Sequence, residues 1–192
     1  MAIDLVALRE KLKADGIDVL RLIYSDVLGI TRSKDLLVSM LDKAAHNGPA
    51  FCQGVWVTTT RGGVLDANNI ASDGLQDLVS KLDPETITPM PWEPGVAFVI
   101  ADAFNPDHTD NLMSPRSVLK KIIAEYNKLG LSPVVGPELE FYIADRTDDG
   151  GYKRGHEKTG YVYTTGANVD PHGNFLYLMR MLDQMNIDVF AG

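Results

Sequence analysis

The sequence predicts an α+β protein built in two successive parts. Three observations carry that reading. Up to about Phe104 the apolar residues fall mainly in short β-branched and aromatic runs, with an amphipathic helix ahead of them. Asn105-Pro-Asp-His-Thr-Asp110 is a polar connector. From Leu112 the order becomes helix, strand, long loop, helix, strand. The parts are therefore placed at residues 1–104 and 112–192.

Asp4 is a natural N-cap, Leu5, Leu8 and Leu12 follow at helical spacing, and Gly16 stops the helix. Ile17 to Ser25 reads as a strand, Asp26-Val-Leu-Gly29 as a turn, and Ile30 to Val38 as the returning strand. Ser39 is placed to cap a short helix running through His46, which Gly48-Pro49 breaks. Phe51 to Thr60 is strand-like, and Gly62-Gly63 and Asn68-Asn69 mark loops. Pro84, Pro89, Pro91 and Pro94 exclude a helix between Asp83 and Gly95 and predict an extended run. Val96 to Ala101 is the next strand.

In the second part, Ser114-Pro115 sets an N-cap before a first-position proline. Val118, Leu119, Ile122, Ile123 and Tyr126 form one apolar face, and Gly130 ends the helix. A strand is predicted over Val134 to Asp145, a surface loop over Thr147 to Gly160, and a helix over Asn174 to Met185. Ile187 to Phe190 begins a last strand. That strand stops in mid-run at Gly192, which reads as an incomplete chain; a short terminal edge strand is the alternative.

The 192 residues are 45% apolar and 23% charged, an ordinary globular composition with room for a sizeable core. Eighteen basic against 26 acidic residues give a formal charge of −8, with no basic cluster or stripe, which argues against a nucleic-acid partner. An acidic protein handling anions needs local positive charge or bound cations. The single cysteine, Cys52, excludes an internal disulfide and a Cys-based zinc site, and fits a reducing, cytoplasmic setting. The start is no signal peptide, and the longest apolar run, Gly95 to Ala101, is too short to span a bilayer.

The most informative feature is Glu138 and Glu140, one residue apart on the predicted strand. A strand sends i and i+2 to the same face, so the carboxylates stand roughly 6.6 Å apart along it. Two parallel hard-oxygen ligands suit neighbouring Mg²⁺ or Mn²⁺ ions. Two acids on a solvated face are the plain alternative.

Other candidates are weaker. His46, His108, His156 and His172 share no ligand spacing and read as structural or solvated. Cys52 sits in an apolar run and reads as a buried, inert thiol. Tyr161 and Tyr163 share a strand face and could line a site, and Met179, Met181 and Met185 lie on a helix; packing is the simpler explanation of both sets. No phosphate loop, G-x-G-x-x-G or G-x-S-x-G motif is present.

Gly136-Pro-Glu-Leu-Glu-Phe-Tyr142 resembles the G-P-E-x-E-F signature of the glutamine synthetase family. Arg21-Leu-Ile-Tyr-Ser-Asp-Val-Leu-Gly-Ile30 is similar to the family's N-terminal strand and Asp-x-x-Gly turn. Pro91-Trp92 with Ala97 to Asp102 is similar to the strand leaving its small domain. Ser114-Pro-Arg116 matches the Pro-Arg start of its first catalytic-domain helix. Gly160-Tyr-Val, Asp170 and the helix to Asn186 follow in the family's order.

The resemblance implies an N-terminal β-grasp domain and the opening part of a catalytic α/β domain with an antiparallel sheet, in a subunit more than twice this length. It implies an ATP-dependent ligase in which the γ-carboxylate of L-glutamate takes up phosphate and an amine then displaces it. Glu138 would hold the metal nearer the ATP phosphates and Glu140 the one nearer glutamate. It also implies two Mg²⁺ or Mn²⁺ ions per site and a homo-oligomer with active sites between subunits.

Ammonia-using members carry an Asp where the simplest alignment places Cys52, in Phe51-Cys-Gln-Gly-Val55. A neutral thiol attracts ammonium and takes its proton less well than a carboxylate. A preference for an organic amine, such as a polyamine or ethanolamine, is the variant reading. A truncated, non-catalytic subunit acting through protein contacts is another, and a metal hydrolase using the same two glutamates a third. Because the family's later ligands are absent, the 192 residues are expected to be inactive alone and to bind metal weakly.

Overall fold

The computed structural model describes residues 4–141, 143–155 and 163–191. Its contacts divide the chain into two compact units, residues 1–133 and 134–192.

In the first unit, helix α1 (Leu5–Ala14) begins as expected: the Asp4 carboxylate accepts the Ala7 N–H at 3.0 Å. It leads through Gly16, at φ 73°, into strand β1 (Val19–Ser25). Strand β2 (Thr31–Leu37) returns antiparallel to it. A 3₁₀ turn, Val38–Met40, then precedes helix α2 (Leu41–Asn47), so Ser39 lies inside the turn and caps nothing. Gly48 ends α2 at φ 59°, and a Cβ there would lie 1.8 Å from the Ser80 carbonyl oxygen, so glycine is required twice over.

The expected strand from Phe51 to Thr60 is mostly absent. Strand β3 is only Phe51–Cys52, and Gln53–Val57 winds into a 3₁₀ helix whose first turn is capped by the Cys52 thiol. Strand β4 (Asp77–Leu82) was not foreseen. Its alternation is masked in sequence because a polar residue, Ser80, holds a core position; the hydroxyl donates to the Pro49 carbonyl at 2.5 Å. The proline segment is only partly extended: Pro84–Thr86 forms a 3₁₀ turn with proline in its first position, followed by strand β5 (Thr88–Pro89). Strand β6 (Val96–Phe104) runs three residues beyond the expected end.

Among the described residues these strands make a mixed six-stranded sheet in the order β2-β1-β6-β4-β3, with β5 also on β6. At its centre β1 and β6 run parallel, with Leu20 opposite Ala97 and Leu22 opposite Val99. Period-two alternation sorts their side chains. Leu20, Leu22, Tyr24, Val99 and Ala101 join Leu12, Leu41, Phe51, Trp56 and Leu78 in one buried cluster. Tyr24 stacks on Phe51 at 4.0 Å between centroids, and Trp56 meets both rings edge-on at 6.0 Å. Helix α3 (Pro115–Lys128) starts at the expected Ser-Pro and stops at Gly130 with φ 70°. Ser114 is its N-cap residue but makes no side-chain capping bond.

In the second unit, the strand expected over Val134 to Asp145 forms only at its end, as β7 (Ala144–Arg146) paired with β8 (Tyr152–Arg154). From Val134 through Phe141 the backbone has no regular structure and every side chain is exposed. A β-strand is held by its ladder partners, and among the described residues this stretch has none. Helix α4 (Asn174–Gln184) is where the periodicity places it; Asp170 accepts the Asn174 and Phe175 N–H groups at 3.0 and 2.8 Å. Ile187 to Phe190 forms no strand. Among the described residues, no helix is long and apolar enough to cross a membrane.

Candidate active site

Glu138 and Glu140 are both exposed, on the irregular stretch that follows Pro133. The strand geometry that would set them side by side on one face is therefore not formed. No group of three or more His, Cys, Asp or Glu that could hold a metal occurs among the described residues. The two carboxylates are chemically right for a hard divalent cation and too few to enclose one, since such ions take about six oxygen ligands.

Cys52 lies in the first unit, half-buried. Its sulfur accepts the Gly54 N–H at 3.3 Å and its thiol donates to the Leu75 carbonyl at 3.4 Å. The thiol is thus built into the turn that starts the 3₁₀ helix, which is more than the inert filler its apolar context predicts. Near it, burial pushes the Tyr24 phenol above its ordinary pKa, against a smaller opposing pull from Arg32.

The remaining candidates scatter. His108 sits in the connector at φ 65°, and His172 is exposed. The His46 side chain, His156 and Tyr161 lie outside the described residues. Tyr163 is fully exposed, which excludes the packing role expected for it. Met179, Met181 and Met185 are half-buried on or beside α4.

Sequence reasoning missed three charged constellations, all in the first unit. Asp26 is buried in the β1–β2 turn and accepts the Leu28 and Ile30 N–H groups and Arg32 Nε at 2.9, 2.9 and 2.8 Å. Burial alone would raise its pKa; those donors outweigh it and hold the carboxyl below its ordinary value. Arg21 forks onto Asp35 at 2.7 and 2.9 Å and onto Glu93 at 2.6 and 3.1 Å, tying β1 to β2 and to the turn after β5. Arg116 joins the first turn of α3 to Asp102 on β6, at 2.9 Å, and to Asp83; Lys120 also reaches Asp102. The only signal for these was position: Arg21 and Arg116 lie within segments already marked by family-like residues, and Arg32 lies two residues beyond one.

Residues 112–191 match the family model described as glutamine synthetase, catalytic domain. The glutamine synthetase of Methanosarcina mazei is 31% identical over 74% of this chain and 32% of its own length. That of Halobacterium salinarum is 29% identical over 81% of this chain and 33% of its own. The chain belongs to the glutamine synthetase family. It spans about a third of the length of these curated relatives. A Plasmodium falciparum glutamine synthetase structure covers 98% of this chain and 41% of its own, with a TM-score of 0.65 at 15% identity, a likeness of fold. A ligand-free GmaS structure is 25% identical over 67% of this chain and 27% of its own, with a TM-score of 0.50.

Proposed function

We propose that this glutamine synthetase family chain serves an ATP-dependent ligase that joins the γ-carboxylate of L-glutamate to ammonia or an amine. The observation that carries the reading is the Glu138-Leu-Glu140 signature inside the segment matched by the family's catalytic domain. That match opens at residue 112, which supports a domain start there, and in this reading the mixed sheet before it is a β-grasp domain.

In this reading Glu138 and Glu140 ligate Mg²⁺ or Mn²⁺ when the segment is drawn into a strand. The ions supply charge neutralisation where ATP phosphates meet the glutamate carboxylate. The protein's part is to hold two like charges on one face, which only bound cations make favourable. A GmaS structure carries ADP, which supports a nucleotide partner for this chain as well. The active site is completed between subunits of a homo-oligomer.

A second reading concerns the acceptor. Cys52 stands where ammonia-using members have an Asp, and its thiol is engaged with Gly54 and Leu75. The site therefore offers no carboxylate for ammonium at that position, which favours an organic amine.

Two carboxylates bind one ion only weakly, so a Mn²⁺ dissociation constant on the order of 1 mM is expected for the 192 residues, without glutamate-dependent ADP formation. Mn²⁺ broadening of amide NMR signals tests this. It should centre on residues 136–141 and vanish in Glu138→Gln/Glu140→Gln. Broadening elsewhere that survives the double substitution removes the metal role and, with it, the ligase reading for this segment.

A further inference from the structure

Four bonds in this chain join an Asp or Asn to a glycine: Asp15–Gly16, Asn47–Gly48, Asp73–Gly74 and Asp149–Gly150. Such a pair can close on itself. Glycine has no Cβ to shield its nitrogen, which can therefore reach the side-chain carbonyl carbon of the residue before it. The fold restrains the four bonds unequally.

Three are held. The Gly48 N–H donates to the Ala44 carbonyl at 2.7 Å, and the backbone there packs on Ser80. The Asp149 carboxylate accepts the Thr147 hydroxyl and, at 3.1 Å, the Gly151 N–H. Those bonds, the Thr147 one first, keep it below its ordinary pKa, so it stays ionised and does not release an oxygen as water. Asp15 ends α1, where the Gly16 N–H donates to Lys13 at 3.0 Å and the Ile17 N–H to Leu12 at 2.8 Å. Leu12 and Ile17 are both buried, so swinging the Gly16 nitrogen outward draws Ile17 from the core.

Asp73–Gly74 has a similar turn without the core anchor. Both residues are exposed, and the Asp73 carboxylate makes no hydrogen bond or ion pair among the described residues. The Gly74 N–H reaches the Ala71 carbonyl only at 3.2 Å, the longest such bond of the four glycines. A Cβ on Gly74 would meet nothing within 4 Å, so the bond is open to water. The next residue, Leu75, is half-buried and stands at φ 49°, a left-handed conformation unfavourable to leucine. Releasing Gly74 from its turn therefore gives up little.

We propose that Asp73 isomerises spontaneously to isoaspartate, and that the lengthened backbone frees the Cys52 thiol. The Gly74 nitrogen bonds to the Asp73 side-chain carboxyl carbon; its proton and the carboxyl hydroxyl leave together as water, closing a cyclic imide. Water then opens the ring. Attack on the side-chain carbonyl restores aspartate. Attack on the main-chain carbonyl leaves the peptide running through the side chain, with an added backbone carbon and a free α-carboxylate. Mass and oxidation state are unchanged. The residues that follow hold the Cys52 turn: the Leu75 carbonyl accepts the Cys52 thiol at 3.4 Å, and the Gln76 carbonyl accepts the Gln53 N–H at 3.0 Å. Displacing them removes the acceptor of the thiol.

Ageing the full chain for weeks at neutral pH, followed by peptide mapping, tests this without reference to ligase activity. Isoaspartate is read by methyl transfer from S-adenosylmethionine with an isoaspartyl methyltransferase. The Asp73 peptide should label several-fold more than the Asp15 and Asp149 peptides, and in urea the three should label alike. Asp73→Glu, a change at an exposed residue that demands a larger ring, should lose the label. In the isomerised fraction, separated by chromatography and still folded by circular dichroism, iodoacetamide should alkylate Cys52 several-fold faster than in fresh protein. The proposal falls if Asp73 stays unlabelled, if Asp15 or Asp149 labels as fast in the folded chain, or if the preference for Asp73 persists in urea. It falls equally if the isomerised fraction has unfolded or alkylates Cys52 at the rate of fresh protein.

Discussion

Residues 4–133 and 134–191 follow the same patterning rules and reach opposite states. In the first segment Leu20, Leu22, Leu41 and Val99 have no exposed surface at all. In the second none of the described residues is buried, and Val134, Leu139 and Phe141 expose 96%, 85% and 64%. Apolar content does not separate them; partners do. β1 has β2 on one edge and β6 on the other, and helices α1 and α2 contribute Leu12 and Leu41 to the cluster on its buried face. The stretch from Val134 to Phe141 has neither a ladder nor a facing layer among the described residues. Carrying a recognisable signature and being able to form its secondary structure are separate properties, because a β-strand's stability lies in its neighbours.

The widest gap between the two segments should appear in core truncation. Leu22→Ala removes a side chain with 0% exposure from the sheet centre and should cost about 2–5 kcal/mol. Leu139→Ala, the same change at 85% exposure, should fall within about 0.5 kcal/mol. Urea unfolding monitored by circular dichroism measures both. Equal effects would mean that Leu139 is packed in solution and that the contrast between segments is false.

How much was legible in sequence follows the same division. α1, β1, β2, β6, α3 and α4 each have a local cause that one sequence displays: a cap, a proline, a stop glycine or a clean period. β4 was hidden because Ser80 occupies a core position on the strength of a hydrogen bond to Pro49, a contact 31 residues away. The 3₁₀ helix after Phe51 was read as a strand because its apolar run lacks the decisive detail, a thiol accepting from Gly54. Family identity was legible from the Glu-x-Glu signature and the order of lesser matches. The geometry of Glu138 and Glu140 was not, since strand spacing presupposes a strand. The ion pairs were illegible for a simpler reason: Arg21 finds Glu93 across 72 residues, and nothing local marks the two as partners.

A middle-sized effect tests whether the first segment depends on polar as well as apolar burial. Asp26→Asn keeps the shape but removes the charge facing Arg32, and leaves N–H groups on a weaker acceptor. The expected loss is about 2 kcal/mol. The pH dependence carries the same sign. Asp26 and Asp35 both have folded-state pKa values below the ordinary carboxylate value, Asp35 chiefly through its hydrogen bonds from Arg21. Their contribution is complete above the unfolded value of about 4. As pH falls through that value the unfolded chain takes up protons first, and stability declines until the folded carboxylates are protonated too. Thermal midpoints between pH 7 and pH 3 should fall at the acid end, and Asp26→Asn should flatten part of that slope. An unchanged slope would leave the buried carboxylate without an energetic role.

The smallest effect belongs to Arg21, where geometry is ideal and solvent is near. Its guanidinium serves two carboxylates at once, and lysine, with a single ammonium, cannot fork onto either. Asp35 and Glu93 are about half exposed, so water screens both pairs and each carboxylate is readily resolvated when the fork is lost. Arg21→Lys should therefore cost less than Leu22→Ala or Asp26→Asn, and the cost should shrink further in high salt. Its effect should be local. Hydrogen exchange should quicken where β1 meets β2 and at the turn carrying Glu93, while β6 amides facing β4 stay protected. If exchange instead rises across the whole sheet, the network holds the fold together rather than pinning one edge of it, and the partition between an apolar centre and a polar margin has been drawn in the wrong place.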